Sequence, residues 1–168
     1  TISDSLLTFT TASNFNGLET VTASVTDGEF SSSQAFSVTA SPVNDAPILS
    51  SIDAVEISEE ATITISLEAT DVDNNSLTYS VSDNVNVNTS ISGNILTITG
   101  VDDYNGSVTL DVTVNDGDLN DTESVQITIT EVNDAPVLAA VDTVSFDEDG
   151  SGSTTLVGSD IDSTDLTY

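Results

Sequence analysis

The five residues "VNDAP" occur twice in this chain, at residues 43–47 and again at 132–136. An aliphatic pair follows each copy, Ile48 and Leu49 after the first and Val137 and Leu138 after the second. The two copies begin 89 positions apart in a chain of 168 residues. Self-similarity at a fixed period is typical of a chain built from repeated structural units. Each "VNDAP" is therefore predicted to mark a boundary between two repeats.

Several other short motifs keep the same offset. They are "NG" at 16–17 and 105–106, "DG" at 27–28 and 116–117, "D-x-D" at 71–73 and 160–162, and "LTY" at 77–79 and 166–168. We therefore predict three parts, namely the C-terminal half of one repeat (1–42), a complete repeat (43–131) and the N-terminal half of the next (132–168). Because the chain begins and ends within a repeat and has no methionine, it is expected to come from a longer array.

The charge of the chain is entirely of one sign. It has 29 Asp and Glu residues and no Lys, Arg or His, which gives a formal net charge of −29. Self-repulsion at this density opposes the compact state unless counter-ions gather around the protein. Cations are therefore the first partners to expect, whereas nucleic acid and anionic membrane surfaces would be repelled. A simpler alternative is that the acidity only keeps the protein soluble in a salty habitat.

The complete repeat has the residue alternation of half-buried β-strands. Val108, Leu110, Val112 and Val114 alternate with polar residues, and turn-forming Asn, Asp and Gly residues separate such segments. Seven strands are predicted, near 48–52, 54–58, 61–69, 77–82, 94–99, 107–115 and 123–130. Seven short antiparallel strands in one repeat are typical of a Greek-key β-sandwich. The predicted fold class is all-β, with one such immunoglobulin-like sandwich per repeat.

The order of the motifs resembles one known family. The motifs are "VNDAP" at 43–47, the acidic pair at 59–60, "D-x-D" at 71–73, "LTY" at 77–79, "DYNG" at 103–106, "VNDG" at 114–117 and the next "VNDAP" at 132–136. In this order they resemble the cadherin-like domains that stand in tandem in very large bacterial surface proteins, and the resemblance covers the whole chain. The family implies a stack of sandwiches with calcium bound at the junctions between them, on the outside of a bacterial cell.

The resemblance also implies which residues would bind calcium at the second junction, around the linker at 131–134. The ligands carried over by position are Asp102, Asp103, Asn105, Glu131, Asn133, Asp134, Glu148, Asp149, Asp160 and Asp162. Calcium prefers six to eight oxygen ligands from carboxylates, amide groups and backbone carbonyls, and this chain is rich in all three. Such a site would tie two domains together in a chain that has no cysteine for disulfides.

The first junction, around the linker at 42–45, departs from this pattern. The ligands implied there are Asn44, Asp45, Glu59, Glu60, Asp71 and Asp73. Three acidic positions of the second junction are lost, because the turn reads "SNFN" at 13–16 and Pro42 replaces Glu131. A reduced site is therefore expected. The alternative for any single motif is a turn in which the Asp or Asn side chain caps its own backbone.

The function that follows is a non-catalytic, calcium-stiffened stalk or fibre segment on a bacterial cell surface. Neighbouring carboxylates such as Glu59 and Glu60 could serve glycoside hydrolysis, but we expect no enzyme, since the chain offers no His, Cys or Lys for catalysis. One alternative is a filament subunit whose half repeats are completed head to tail by neighbouring copies, instead of by adjacent repeats of the same chain. Another is a module that binds carbohydrate or protein.

Overall fold

A computed structural model describes residues 2–3, 5–74 and 76–168, and within them the chain forms strands only. The strands are β1 (Ile2–Ser3), β2 (Leu6–Leu7), β3 (Gly17–Thr26), β4 (Ser31–Ala40), β5 (Ile48–Leu49), β6 (Val55–Ser58), β7 (Thr62–Ser66), β8 (Ala69–Thr70), β9 (Thr78–Val81), β10 (Val87–Ser92), β11 (Ile95–Gly100), β12 (Gly106–Asn115), β13 (Asn120–Thr130), β14 (Val137–Leu138) and β15 (Gly158–Ser159). In this part of the chain no helix is long and apolar enough to cross a membrane.

The central part of the chain, from β5 to β13, forms a sandwich. One layer is a four-stranded sheet in the order β6-β13-β12-β9, and the other is a three-stranded sheet in the order β10-β11-β7, with β5 and β8 paired beside them. Strands β12 and β13 form an antiparallel hairpin, whereas β6 pairs with β13 in parallel. Because parallel strands run in the same direction, β6 and β13 end at the same end of the sandwich.

Alternating apolar side chains fill the space between the two layers. The buried residues are Leu49, Ile57, Leu67, Val87, Leu96, Ile98, Val108, Leu110, Val112, Val114, Val125, Ile127 and Ile129. Seven of them come from the face of the β12–β13 hairpin whose residues alternate with Thr, Asp and Gln. The outward side chains pair across the strands, as in the 2.8 Å hydrogen bond between the hydroxyls of Thr113 and Thr122. The hydrophobic face of this hairpin is therefore the centre of the core.

The strand pairing follows the 89-residue offset in all three parts of the chain. The β3–β4 hairpin pairs Gly17 with Ala40, as β12–β13 pairs Gly106 with Ile129. The β14–β15 pair repeats the register of β5–β8, and β1–β2 repeats part of β10–β11. Backbone angles repeat as well, with φ of 60° at Glu60 and 64° at Asp149. The division into three parts at 42 and 131 stays a prediction.

Burial does not follow the offset. Val114 is fully buried in β12, whereas Val25, at the same position of β3, is 70% exposed. Ile57 is 7% exposed in β6, whereas Phe146, 89 positions later, is 61% exposed. The outer parts of the chain thus carry the apolar pattern of the sandwich without the layer that covers it in the centre.

The all-β, immunoglobulin-like sandwich predicted from the alternation is confirmed. Two details of the predicted strands are wrong. The segment 61–69 is divided into β7 and β8, because the chain leaves the three-stranded sheet after Ser66 to pair with β5. Strand β10 was not predicted, because its Asn and Ser residues resemble a turn, although Val87 and Ile91 do alternate.

Candidate metal centre

Glu59 lies at the end of the sandwich where the second junction begins. It follows β6, and its backbone N–H donates a 2.9 Å hydrogen bond to the carbonyl of Thr130, at the end of β13. Its side-chain Oε1 accepts a 2.6 Å hydrogen bond from the backbone N–H of Val132, in the linker. Gly100 makes room for this segment, since a Cβ there would lie 3.0 Å from the Glu59 Cα. These contacts hold the Glu59 carboxylate next to the linker of the second junction.

The second oxygen of this carboxylate has no hydrogen-bond partner among the described residues. The Glu59 side chain is only 4% exposed, and its Oε2 is buried without a hydrogen bond from any described residue. A charged group that is buried without a partner destabilises the folded state by several kcal/mol. Native proteins therefore almost always pair such groups. A cation is one kind of partner that could satisfy this oxygen.

The linker of the second junction is tied to the start of the next repeat. The backbone N–H of Asp134 donates a 2.5 Å hydrogen bond to Oδ2 of Asp162. Asp160 shapes the turn that holds Asp162, because its Oδ1 accepts hydrogen bonds from the N–H groups of Asp162 and Ser163 at 2.9 and 2.8 Å. Both residues of the second "D-x-D" motif therefore lie at the junction.

The pKa of Asp134 shows which carboxylates lie near it at the second junction. Its pKa is raised, first by desolvation and then by the negative charges of Asp103, Asp162, Glu59 and Glu60. These residues come from the "DYNG" turn, the next repeat and the segment after β6. Carboxylates from two repeats and their linker thus face one another. Asp102, Asn105, Glu131 and Asn133 are exposed positions in the same turn and linker.

The first junction has the same backbone arrangement with fewer acids. The N–H of Asp45 donates a 2.8 Å hydrogen bond to Oδ2 of Asp73, as Asp134 does to Asp162. Oδ1 of Asp71 accepts hydrogen bonds of 2.7 Å from the N–H groups of Asp73 and Asn74. Oδ2 of Asp71 is buried and has no hydrogen bond from the described residues. A second unpaired carboxylate oxygen thus lies at this junction.

Asp116 belongs to the first junction, although the sequence analysis assigned it only to a turn. Its Oδ2 accepts a 2.8 Å hydrogen bond from Nδ2 of Asn44, and its carbonyl accepts one from Nδ2 of Asn74. Its pKa is lowered, first by the N–H of Leu119, then by that of Asp118 and by the Asn44 amide. The signal in the sequence was the "DG" repeat at 27–28 and 116–117. That motif alone predicts no contact with the linker.

The grouping of Glu59 and Glu60 with the first junction was wrong. The parallel pairing of β6 with β13 carries both residues to the opposite end of the sandwich, next to Val132. Glu148 and Asp149, which the sequence analysis placed at the second junction, are exposed after the β14 segment. Their charges are not among those that raise the pKa of Asp134. The offset equates them with Glu59 and Glu60.

The donors at both junctions suit a hard cation. Within residues 2–3, 5–74 and 76–168, no three Asp or Glu side chains form a group that could hold a metal ion by themselves. Calcium, however, also takes backbone carbonyls and amide oxygens, and its coordination is flexible. The buried, unpaired oxygens of Glu59 and Asp71 are where such an ion would replace a missing partner. The residues therefore fit calcium.

Comparison with known proteins gives a family and a fold. The family model described as "Bacterial Ig domain" matches residues 44–130. No curated protein matches the sequence. The extracellular cadherin domains 1–5 of protocadherin gamma B2 are 20% identical, with a TM-score of 0.51 over 86% of this chain and 32% of that one. At that identity the likeness shows the fold alone, and this chain spans about a third of the protocadherin structure.

Two further solved structures are similar at a lower level. Drosophila N-cadherin domains EC1–4 are 18% identical, with a TM-score of 0.45 over 73% of this chain and 35% of that chain. An endo-fucoidan hydrolase of glycoside hydrolase family 107 is 17% identical, with a TM-score of 0.44 over 69% of this chain and 19% of that chain.

Proposed function

The chain belongs to the bacterial Ig domain family, and from that premise we propose that it is a non-catalytic segment of an extracellular stalk stiffened by calcium. The stalk would hold a distal recognition domain away from the bacterial surface. Its repeats would stand in line because calcium ties the end of one sandwich to the linker and to the start of the next. The fold likeness to tandem extracellular cadherin domains supports this arrangement.

The observation that carries the proposal is the unpaired oxygen of Glu59. A buried carboxylate is stable when it is protonated, when it pairs with a basic side chain or when it binds a cation. The chain has no Lys, Arg or His, so no side chain of its own can supply the positive charge. Glu59 is also one of the carboxylates, with Asp103 and Asp162, whose negative charge raises the pKa of Asp134. A metal ion would supply a positive charge to all of these carboxylates together.

The residues have distinct tasks in this proposal. Glu59, Glu60 and Asp103 would bind calcium from the preceding sandwich, Asp134 from the linker, and Asp160 and Asp162 from the following repeat. Asp102, Asn105, Glu131 and Asn133 would supply oxygens around them. Bound calcium would supply the positive charge that lets these groups approach one another. The first junction, with Asn44, Asp45, Asp71, Asp73 and Asp116, has fewer carboxylates and is expected to bind fewer ions or bind them more weakly.

The test compares thermal unfolding of the chain in calcium and in chelator at fixed ionic strength. An ion that binds only the folded state stabilises it by about 2.7 kcal/mol at a hundred times its Kd. Glu59→Gln should reduce this calcium-dependent gain and should raise the stability in chelator, because it removes a buried charge. Glu56→Gln, at an exposed position of the preceding strand β6, is the matched control and should keep the full gain. Equal gains for both variants would contradict the site.

A further inference from the structure

We propose that the open edge of β7 binds an extended segment of a partner protein in which apolar and basic residues alternate. The segment adds to the three-stranded sheet as a further strand, antiparallel to β7. The site lies on the side of the central sandwich, within the complete repeat, and uses none of the acidic residues of the two junctions. The inference therefore goes beyond the proposed function and does not depend on calcium binding.

Strand β7 is the outermost strand of its sheet, since it pairs with β11 alone. The N–H of Leu67 donates a 2.8 Å hydrogen bond to the carbonyl of Asn94, on the β11 side. Successive residues of a strand alternate in the direction of their backbone hydrogen bonds, so Thr62, Thr64 and Ser66 direct their N–H and C=O groups away from β11. Among the described strands none pairs with that edge. Such a row of unpaired groups is a template for another strand.

Strand β5 shows why this edge is open. It pairs with β8, where Leu49 is opposite Ala69, and the N–H of Ser50 then donates a 2.8 Å hydrogen bond to the carbonyl of Glu68. After Ser50 the chain crosses to the other sheet, where β6 pairs with β13. The line that β5 follows beside β8 is therefore vacant beside β7. An added strand continues this line in the direction of β5.

A groove of about 280 Å³ lies along the vacant line, between residues 50–53 with Val55 on one side and residues 65–68 on the other. Its floor is apolar, because Ile52, Val55 and Ile65 are half-buried there against the core. Since the side chains of a strand alternate between two faces, every second side chain of an added strand enters this groove. Removing aliphatic surface from water is favourable, so the groove selects apolar residues at these positions.

The rim of the groove is acidic, and the chain has no basic side chain to neutralise it. Asp53 and Glu68 are exposed residues of the groove, and the sequence contains no Lys, Arg or His. These two carboxylates attract Lys or Arg at the outward positions of an added strand. A second copy of this chain is disfavoured, because each copy has a formal net charge of −29. Charge therefore selects a basic segment of another protein.

The first test is amide hydrogen exchange of the full chain, followed by NMR, with a short capped peptide of alternating lysine and valine as the probe. We expect the peptide to protect the amides of Thr62, Thr64 and Ser66 from exchange. The control is the same peptide with N-methylated valines, which keeps the charge and the side chains but loses backbone donors. It should leave these amides unprotected, because electrostatic attraction alone forms no strand.

The second test uses variants of the edge and of the rim. Thr64→Pro removes an N–H on the open side of β7, where an edge strand tolerates proline, and should abolish the protection, whereas Thr64→Ala should keep it. Glu68→Gln should weaken peptide binding about two- to fivefold, as expected for an exposed ion pair. Asp142→Asn removes the same charge at an exposed site outside the groove and should not. Unfolding of each variant shows that it folds, and Glu68→Gln still tests the site if Thr64→Pro does not.

Three outcomes would overturn the proposal. They are equal protection by the N-methylated peptide, equal affinities of Glu68→Gln and Asp142→Asn, and protection of the same amides at high protein concentration without peptide, which would assign the edge to a second copy. Each measurement is made in calcium and in chelator at fixed ionic strength. Peptide binding without any effect of calcium on unfolding would contradict the calcium site and support the binding edge.

Discussion

Two aspartates at the junctions have pKa values that move in opposite directions for identifiable reasons. Asp134 is desolvated among other carboxylates, which raises its pKa, whereas Asp116 accepts backbone hydrogen bonds, which lower its pKa. Asp27, the residue 89 positions before Asp116, is lowered in the same way by the N–H groups of Phe30 and Glu29. The turn aspartates therefore stabilise the folded state when charged, and Asp134 destabilises it in the absence of a cation.

This difference predicts how stability depends on pH in chelator. Since the folded state holds the Asp134 proton more tightly than the unfolded state, its destabilising effect is relieved as pH falls from 7 toward about 4. Below that range Asp27 and Asp116 become protonated, and their stabilising effect is lost. Asp134→Asn should therefore reduce the change in the free energy of unfolding between pH 7 and about pH 4, measured by urea denaturation at a series of pH values. Asp142→Asn, at an exposed site, is the control, and a slope equal to that of the control would contradict the prediction.

At the scale of single residues, the sequence predicted which residue types form the junctions better than it predicted at which junction each residue lies. Carboxylates at "D-x-D" and in the "VNDAP" linker do meet, through Asp45 with Asp73 and through Asp134 with Asp162. Glu59 was assigned to the wrong junction, because a repeat offset says which residues are equivalent and not at which end of the sandwich they lie. That end depends on the parallel pairing of β6 with β13, a contact between segments more than 70 residues apart.

At the scale of the strands, alternation predicted the long hairpins well. Strands β12 and β13 were expected at 107–115 and 123–130 and extend from 106 to 115 and from 120 to 130. Their pattern is regular because one face is wholly buried. Strand β10 was not predicted, since Asn88, Ser90 and Ser92 also suit turns, and it pairs with β11 through a tight connection. Short or polar strands depend on their neighbours more than on their own composition.

The repeat also offers a matched test of burial. Val114 and Val25 hold the same position of two equivalent strands, but the first is buried and the second is 70% exposed. Val114→Ala should lower the free energy of unfolding by about 2 kcal/mol, through lost burial and the cavity left behind. Val25→Ala should change it by less than about 0.5 kcal/mol in dilute solution. Chemical denaturation of both variants checks this, and similar losses would contradict the difference in burial between the two positions.

At the scale of the whole molecule, every charged side chain repels every other. A formal charge of −29 without a single basic side chain means that no ion pair between side chains offsets the repulsion. Dissolved salt screens this repulsion. It therefore stabilises the folded state, which is more compact than the unfolded chain. This is the basis of the simpler alternative, in which acidity merely suits a salty habitat. It differs from the calcium proposal in one respect, because screening depends on ionic strength and site binding depends on the identity of the ion.

The two explanations predict different responses to salts. In chelator, stability should rise steadily with sodium chloride as the screening length falls from about 10 Å at 0.1 M to about 3 Å at 1 M. At matched ionic strength calcium should stabilise more than magnesium, because magnesium requires strict octahedral geometry and releases its water reluctantly, whereas calcium accepts irregular sets of six to eight oxygens. Thermal unfolding of the unaltered chain in the two chlorides measures the difference. Equal melting temperatures in calcium and magnesium would leave screening as the whole effect and would contradict a calcium site at the second junction.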